Sequence, residues 1–160
     1  IHPYHVKQYN NRWFLFGLEQ TPFGDRIANR PLDRIVKFSI ANVPFIPNTT
    51  IDFTTHFDDV VGVSIPEDCV GKETVVLKFD PERFPYAVSK PIHHSQKILS
   101  EEDCILQIEV RPNKELESVI FSYFPHVEVL APASLREEFK EKISKNLKKY
   151  TSMQKGCTDE

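Results

Sequence analysis

Arg12-Trp13-Phe14-Leu15-Phe16-Gly17-Leu18 restricts this chain more than any other stretch. As a strand, it turns Trp13, Leu15 and Gly17 to one side and Arg12, Phe14, Phe16 and Leu18 to the other. Both sides are largely apolar, so the strand is predicted to lie inside a small barrel or sandwich. Asn10-Asn11, whose residues tolerate positive φ, predicts a two-residue hairpin back to a strand over Tyr4–Tyr9. Thr21-Pro22-Phe23-Gly24-Asp25 reads as a turn. Arg26–Pro31 reads as irregular or edge-like, because Pro31 has no N–H for a ladder. Asp33–Ile40 alternates again and predicts a further strand. Short strands in a meander are the pattern of a small barrel.

The grammar changes downstream. Val43–Val63 is loop-rich, and Phe45, Phe53 and Phe57 are expected to pack this connection onto the barrel. Pro66–Lys72 reads as a linker. Glu73–Phe79 is a predicted strand, and Asp80-Pro81 opens a short helix. Ser95–Leu99 and Cys104–Val110 pair around an acidic turn. Asn113 caps a helix that Pro125 stops, and His126–Leu130 is a last strand. The order strand, helix, strand, strand, helix, strand over 73–130 matches a ferredoxin-like split β-α-β domain. A final helix runs from Pro132 to Tyr150. Leu135, Phe139, Ile143 and Leu147 form its apolar stripe, and Ser134 with Glu137 is its expected capping box. The tail, 151–160, has little to bury. The expected domains are therefore 1–65, 73–150 and a loose tail.

The net charge of −3 conceals an asymmetry. Residues 1–37 carry six Lys/Arg against three Asp/Glu, and the rest is acidic by six charges. A basic front on an acidic protein points to a local anion site. No apolar run approaches a membrane span, and no signal peptide is legible. Cys69, Cys104 and Cys157 are widely spaced and odd in number, which fits a reducing cytoplasm better than a disulfide framework. The opening Ile1-His2-Pro3-Tyr4 is not an initiator sequence, so the chain is expected to be a piece of a longer polypeptide.

No enzyme signature stands up, and no activity is expected. Gly71-Lys72 lacks the rest of a phosphate-binding loop, and no nucleophile elbow exists. No cysteine pair has zinc spacing. His93 and His94 are adjacent, without the spacing that would turn both rings to one metal, and His2 and His5 would face opposite sides of a strand. Neither metal nor cofactor is expected. What remains is aromatic and basic: Tyr4, Lys7, Arg12, Trp13, Arg26, Arg30 and Arg34. Arginine forks take phosphates, and aromatic faces stack on bases. Arg34 stands out because an arginine flanked by apolar residues on a strand needs a partner.

His2-Pro3-Tyr4-His5-Val6-Lys7, Asn11-Arg12-Trp13-Phe14-Leu15 and Leu32-Asp33-Arg34-Ile35 together resemble the WYL domain of bacterial transcriptional regulators. Phe53, the Gly62 region, Ser95-Gln96, Val129-Leu130-Ala131-Pro132 and Leu135-Arg136 resemble that family's carboxyl-terminal extension. The resemblance covers nearly the whole chain to Tyr150. It implies an α+β protein: an Sm-like (SH3-type) β-barrel followed by a ferredoxin-like extension with a C-terminal helix. It also implies a ligand-sensing and oligomerisation region that takes a nucleic-acid or nucleotide-type anion and forms a homodimer. Operator DNA would be bound through a winged helix-turn-helix domain that precedes this segment in the family. The family's strand before Pro3 is also missing, which would leave an open barrel edge. Phe14 stands where the family has Tyr and lacks its hydroxyl. Arg26 and Arg30 both remain candidates for the family's arginine before Leu-Asp-Arg-Ile, with Ala28 at the usual place. The alternative is a purely structural dimerisation module without a small ligand.

Overall fold

The computed structural model describes residues 1–66 and 71–152. Cys69, Cys157, the middle of the expected linker and most of the expected tail lie outside the described residues. The chain divides into two compact units: Ile1–Gly71 with Arg111–Val119, and Lys72–Val110 with Ile120–Glu160. A single cut at the linker therefore misses one feature. Arg111–Val119 returns to the first unit, where Asn113 Nδ2 donates to Val61 O and Ser64 O.

The first unit contains β1 (His2–Tyr9), β2 (Arg12–Thr21) and β3 (Gly24–Pro31) as an antiparallel sheet in that order. Asn10 and Asn11 take left-handed φ of 48° and 60°, the pair of conformations a tight hairpin twist demands. The second hairpin turns through Pro22-Phe23, and Gly24 supplies a φ of 121°. Arg26–Pro31 is a regular edge strand rather than an irregular one. Pro31 is tolerated because it is the last residue of the ladder, opposite Phe14.

Asp33–Ile40 is not a strand. Leu32–Arg34 forms a single 3₁₀ turn closed by Ile35 N–H onto Leu32 O, and the chain beyond it joins no ladder. Side-chain alternation makes a strand only where another backbone edge is offered. Val36, Phe38 and Ile40 instead stand almost fully exposed. The described residues thus give a three-stranded sheet and no closed barrel.

Phe16 is buried on the inner face of that sheet with Phe57, Val60 and Val63, and Phe53, Phe14 and Ile27 pack against them. Phe53 and Phe57 are the expected aromatic packing, whereas Phe45 is exposed and meets the His2 and Tyr4 rings edgewise or tilted. Gly17 is required by close approach. A Cβ there would stand 2.2 Å from His2 O, inside any real contact distance.

The second unit contains β4 (Glu73–Phe79), α1 (Phe84–Ser89), β5 (Lys97–Ser100), β6 (Ile105–Val110), β7 (Val127–Ala131) and α3 (Ala133–Ser152). α2 (Lys114–Ser122) is shared between the units. The sheet order is β5-β6-β4-β7 with every pair antiparallel, the connectivity of a split β-α-β unit. Val75, Leu77 and Phe79 alternate into the core opposite Ile108, Leu106 and Val127. The short helix begins later than Asp80-Pro81, at Phe84, after a turn in which Asp80 O accepts from Arg83 and Phe84 N–H. α3 starts at Ala133, which puts Ser134 inside the helix, so the expected capping box does not form. Leu135 and Phe139 are buried and Phe121 stacks on Phe139 at 4.6 Å, but Leu147 is exposed: the apolar stripe is used only in its first half. α3 continues past Tyr150 to Ser152.

Candidate ligand site on the first unit

Cross-strand register decides which of the predicted site residues share a face. Residues directly opposite one another point to the same side. Phe14, Phe16 and Leu18 face inward, and so do their partners Lys7, His5, His2, Ile27 and Asn29. Trp13, Leu15, Gly17 and Glu19 face outward with Gln8, Arg30, Ala28 and Arg26. The expected constellation is therefore divided. Trp13 is half exposed on the outer face, while Lys7 lies on the inner face with its ammonium 4.2 Å from the Phe57 ring centroid. Tyr4 occupies a bulge between Pro3 and His5. That extra residue turns His2 and His5 to the same face, not to opposite ones as a regular strand would.

The arginines find internal carboxylates. Arg26 and Arg30 both grip Glu19, at 2.7 and 2.6 Å, and this double clamp lowers the Glu19 pKa to about 2, with the Arg30 hydrogen bond the larger cause. Arg12 pairs with Asp33 at 3.2 Å. Arg34 lies in the exposed 3₁₀ turn and not on a strand, so the reasoning that singled it out fails. Two arginines on one glutamate still leave a local positive charge beside β3.

This unit contains a cleft of about 530 Å3 lined by β3 residues 26–30 and by residues from the 51–66 segment. Phe16, Ile27, Ile51, Val63 and Ile65 give it apolar walls, while Arg26, Arg30, Asn29, His56 and Ser64 supply polar groups. A mostly apolar cleft with a few convergent polar groups is the usual form of a small-molecule site. Asn29 Nδ2 donates to Val63 O, holding the cleft wall to β3.

His56 connects the cleft to a second set of cations. Its ring meets Phe57 at 4.9 Å and Phe53 at 5.4 Å, and His5 stacks flat on Phe53 at 4.9 Å. Burial lowers the His56 pKa first, and the charges of Arg111, His5 and Lys7 lower it further. Lys7 is also lowered by burial, with Asp58 opposing. Lys7, His5 and His56 thus gather around one aromatic pair, with the charge of Arg111 felt at His56. The sequence reading missed His56 and Arg111. They come from segments far from β1: the Phe53 and Phe57 packing carries His56 there, and Arg111 N–H donates to Asp59 O at 2.7 Å, tying Arg111 to the same loop.

The WCX domain family matches residues 71–147. Among solved structures, proteasome accessory factor B/C (PafBC) of Arthrobacter aurescens is similar at 20% identity and a TM-score of 0.37, over 92% of this chain and 22% of that one. The present chain therefore spans less than a quarter of that chain's length. No curated protein matches the sequence.

Proposed function

We propose that the chain is the ligand-sensing region of a bacterial transcriptional regulator, a reading supported by the match of residues 71–147 to the WCX domain family, an extension associated with WYL-domain regulators. In this reading β1–β3 are the core of a small Sm-like barrel, and the ligand is a nucleotide or a short single-stranded nucleic acid. The observation that carries it is the 530 Å3 cleft with Arg26 and Arg30 on one wall and His56 on another. A phosphate would compete with Glu19 for the guanidinium forks, and a base would lie against the apolar wall. Lys7 and Arg111 raise the local positive potential and draw an anion toward His56. Binding would bias the geometry of a dimer and so the placement of DNA-binding heads on operator DNA.

A second reading rests on a different observation. Val36, Phe38 and Ile40 form an exposed, alternating apolar strip after β3, and such surfaces mark interaction sites. Here the chain would only dimerise its regulator.

One experiment separates the two. Labelled short DNA and RNA single strands are titrated with the chain at low and moderate salt, with anisotropy as the readout and light scattering giving the mass. The sensor reading expects binding that falls steeply with salt and weakens about tenfold or more in Arg30→Ala and His56→Ala. A dimer that binds neither nucleic acid nor mononucleotides, and that Phe38→Asp makes monomeric, would replace the sensor reading with the scaffold.

A further inference from the structure

We propose that Asp80, Glu82 and His126 in the second unit bind one divalent ion of the zinc class. His126 Nδ1 lies 2.9 Å from an Asp80 carboxylate oxygen and 3.3 Å from one of Glu82. One ligand atom from each of the three residues lies within 4.8 Å of the others. A tetrahedral ion with bonds of about 2.1 Å holds its ligand atoms roughly 3.4 Å apart. The spacing of the three groups is thus of the same order as the edge of such a coordination shell.

Their backbones are already held. Asp80 follows β4 and His126 precedes β7, and Asp80 N–H donates to His126 O at 3.0 Å, continuing the pairing of Phe79 with Val127. Asp80 O accepts from Arg83 and Phe84 N–H, which closes the turn that carries Glu82. His126 N–H donates to Tyr123 O. The ligands therefore project from two paired strand ends and one tight turn, the kind of rigid support a metal site needs.

The charges favour a cation. Among the described residues, His126 is the sole ion-pair partner of both carboxylates, and one imidazolium cannot neutralise two of them. The adjacent Arg83 does not compensate, because its guanidinium lies over the Tyr86 ring at 4.6 Å. One imidazole nitrogen with two carboxylate oxygens suits zinc and its transition-metal neighbours better than magnesium or calcium, which take oxygen shells. All three side chains are partly or largely exposed, so water can complete the coordination.

The test is isothermal titration of zinc chloride into the whole chain, stripped with chelator, alongside thermal melts with and without metal. The expected result is one ion per chain and a melting temperature raised by zinc. Asp80→Asn and His126→Gln should each weaken binding at least tenfold and remove the thermal shift, whereas His94→Ala should change neither. Glu82→Gln, on an exposed turn, serves the same purpose if either of the others fails to fold. No uptake of zinc, or uptake that these substitutions leave unaltered, overturns the proposal.

Discussion

Glu19 shows how a single residue's chemistry is set by register. Arg26 stands directly across the ladder and Arg30 lies on the same face, so both guanidiniums converge on one carboxylate. With the Glu19 pKa at about 2, below its ordinary 4.5, the ion pairs stabilise the sheet fully above pH 4.5 and lose that effect as pH falls through 2. Carbon-detected NMR titration of the Glu19 carboxyl should give a midpoint near 2, moving back toward 4.5 in Arg30→Ala and only part of the way because Arg26 remains. A wild-type midpoint at the ordinary value would contradict the double clamp. Residue-scale partnerships were the least legible part of the sequence. A cluster of arginines could be read from residues 12–34, with Asp33 as a partner for one of them, but not that Arg12 is the one or that Glu19 takes both Arg26 and Arg30. Alternation alone places Arg34 on a strand, but that strand needs a neighbour that the described residues do not provide, and Arg34 ends a 3₁₀ turn instead.

Elements were more legible where a local rule and the tertiary structure agreed. Asn10-Asn11 formed the hairpin, and Pro125 stands past the end of α2, because both effects are built into backbone sterics. Asp33–Ile40 failed for the opposite reason, since alternation carries no information about whether a ladder partner exists. Asn113 combines both situations. Its Oδ1 accepts from Leu116 N–H at 2.8 Å, the cap expected from sequence, while its Nδ2 holds Val61 O and Ser64 O, which no local pattern reveals. Asn113→Ala removes a cap and strands two carbonyls, so it should lower stability by about 2 kcal/mol. Asn113→Asp keeps the cap but loses both donors and should fall between. Urea denaturation of the three proteins provides the comparison, and a change within about 0.5 kcal/mol for the alanine variant would show that Asn113 joins nothing that matters.

On the scale of the whole molecule, the strand-helix order over 73–130 was enough to anticipate the β5-β6-β4-β7 sheet, because few connections satisfy that order without crossing. The assignment of Arg111–Val119 to the first unit was not legible, since it depends on side chains that meet about fifty residues apart. The two units also differ in how much they bury. The first centres on Phe16, Phe57 and Val60–Val63, whereas the second buries alternate positions of β4, β6 and β7 together with Phe84, Tyr123, Leu135 and Phe139. Burial of apolar surface is the dominant stabilising force, so the first unit should open at lower denaturant. Trp13, the chain's single tryptophan, lies in the first unit, while α1 and α3 lie in the second. Tryptophan fluorescence therefore reports one unit and helical circular dichroism mainly the other. In a urea titration the fluorescence midpoint should precede the 222 nm midpoint, and amide exchange should be slower in β4 and β6 than in β1–β3. Superimposable transitions would mean that the shared helix α2 couples the units into one cooperative structure, and the difference in burial would then have no separate thermodynamic expression.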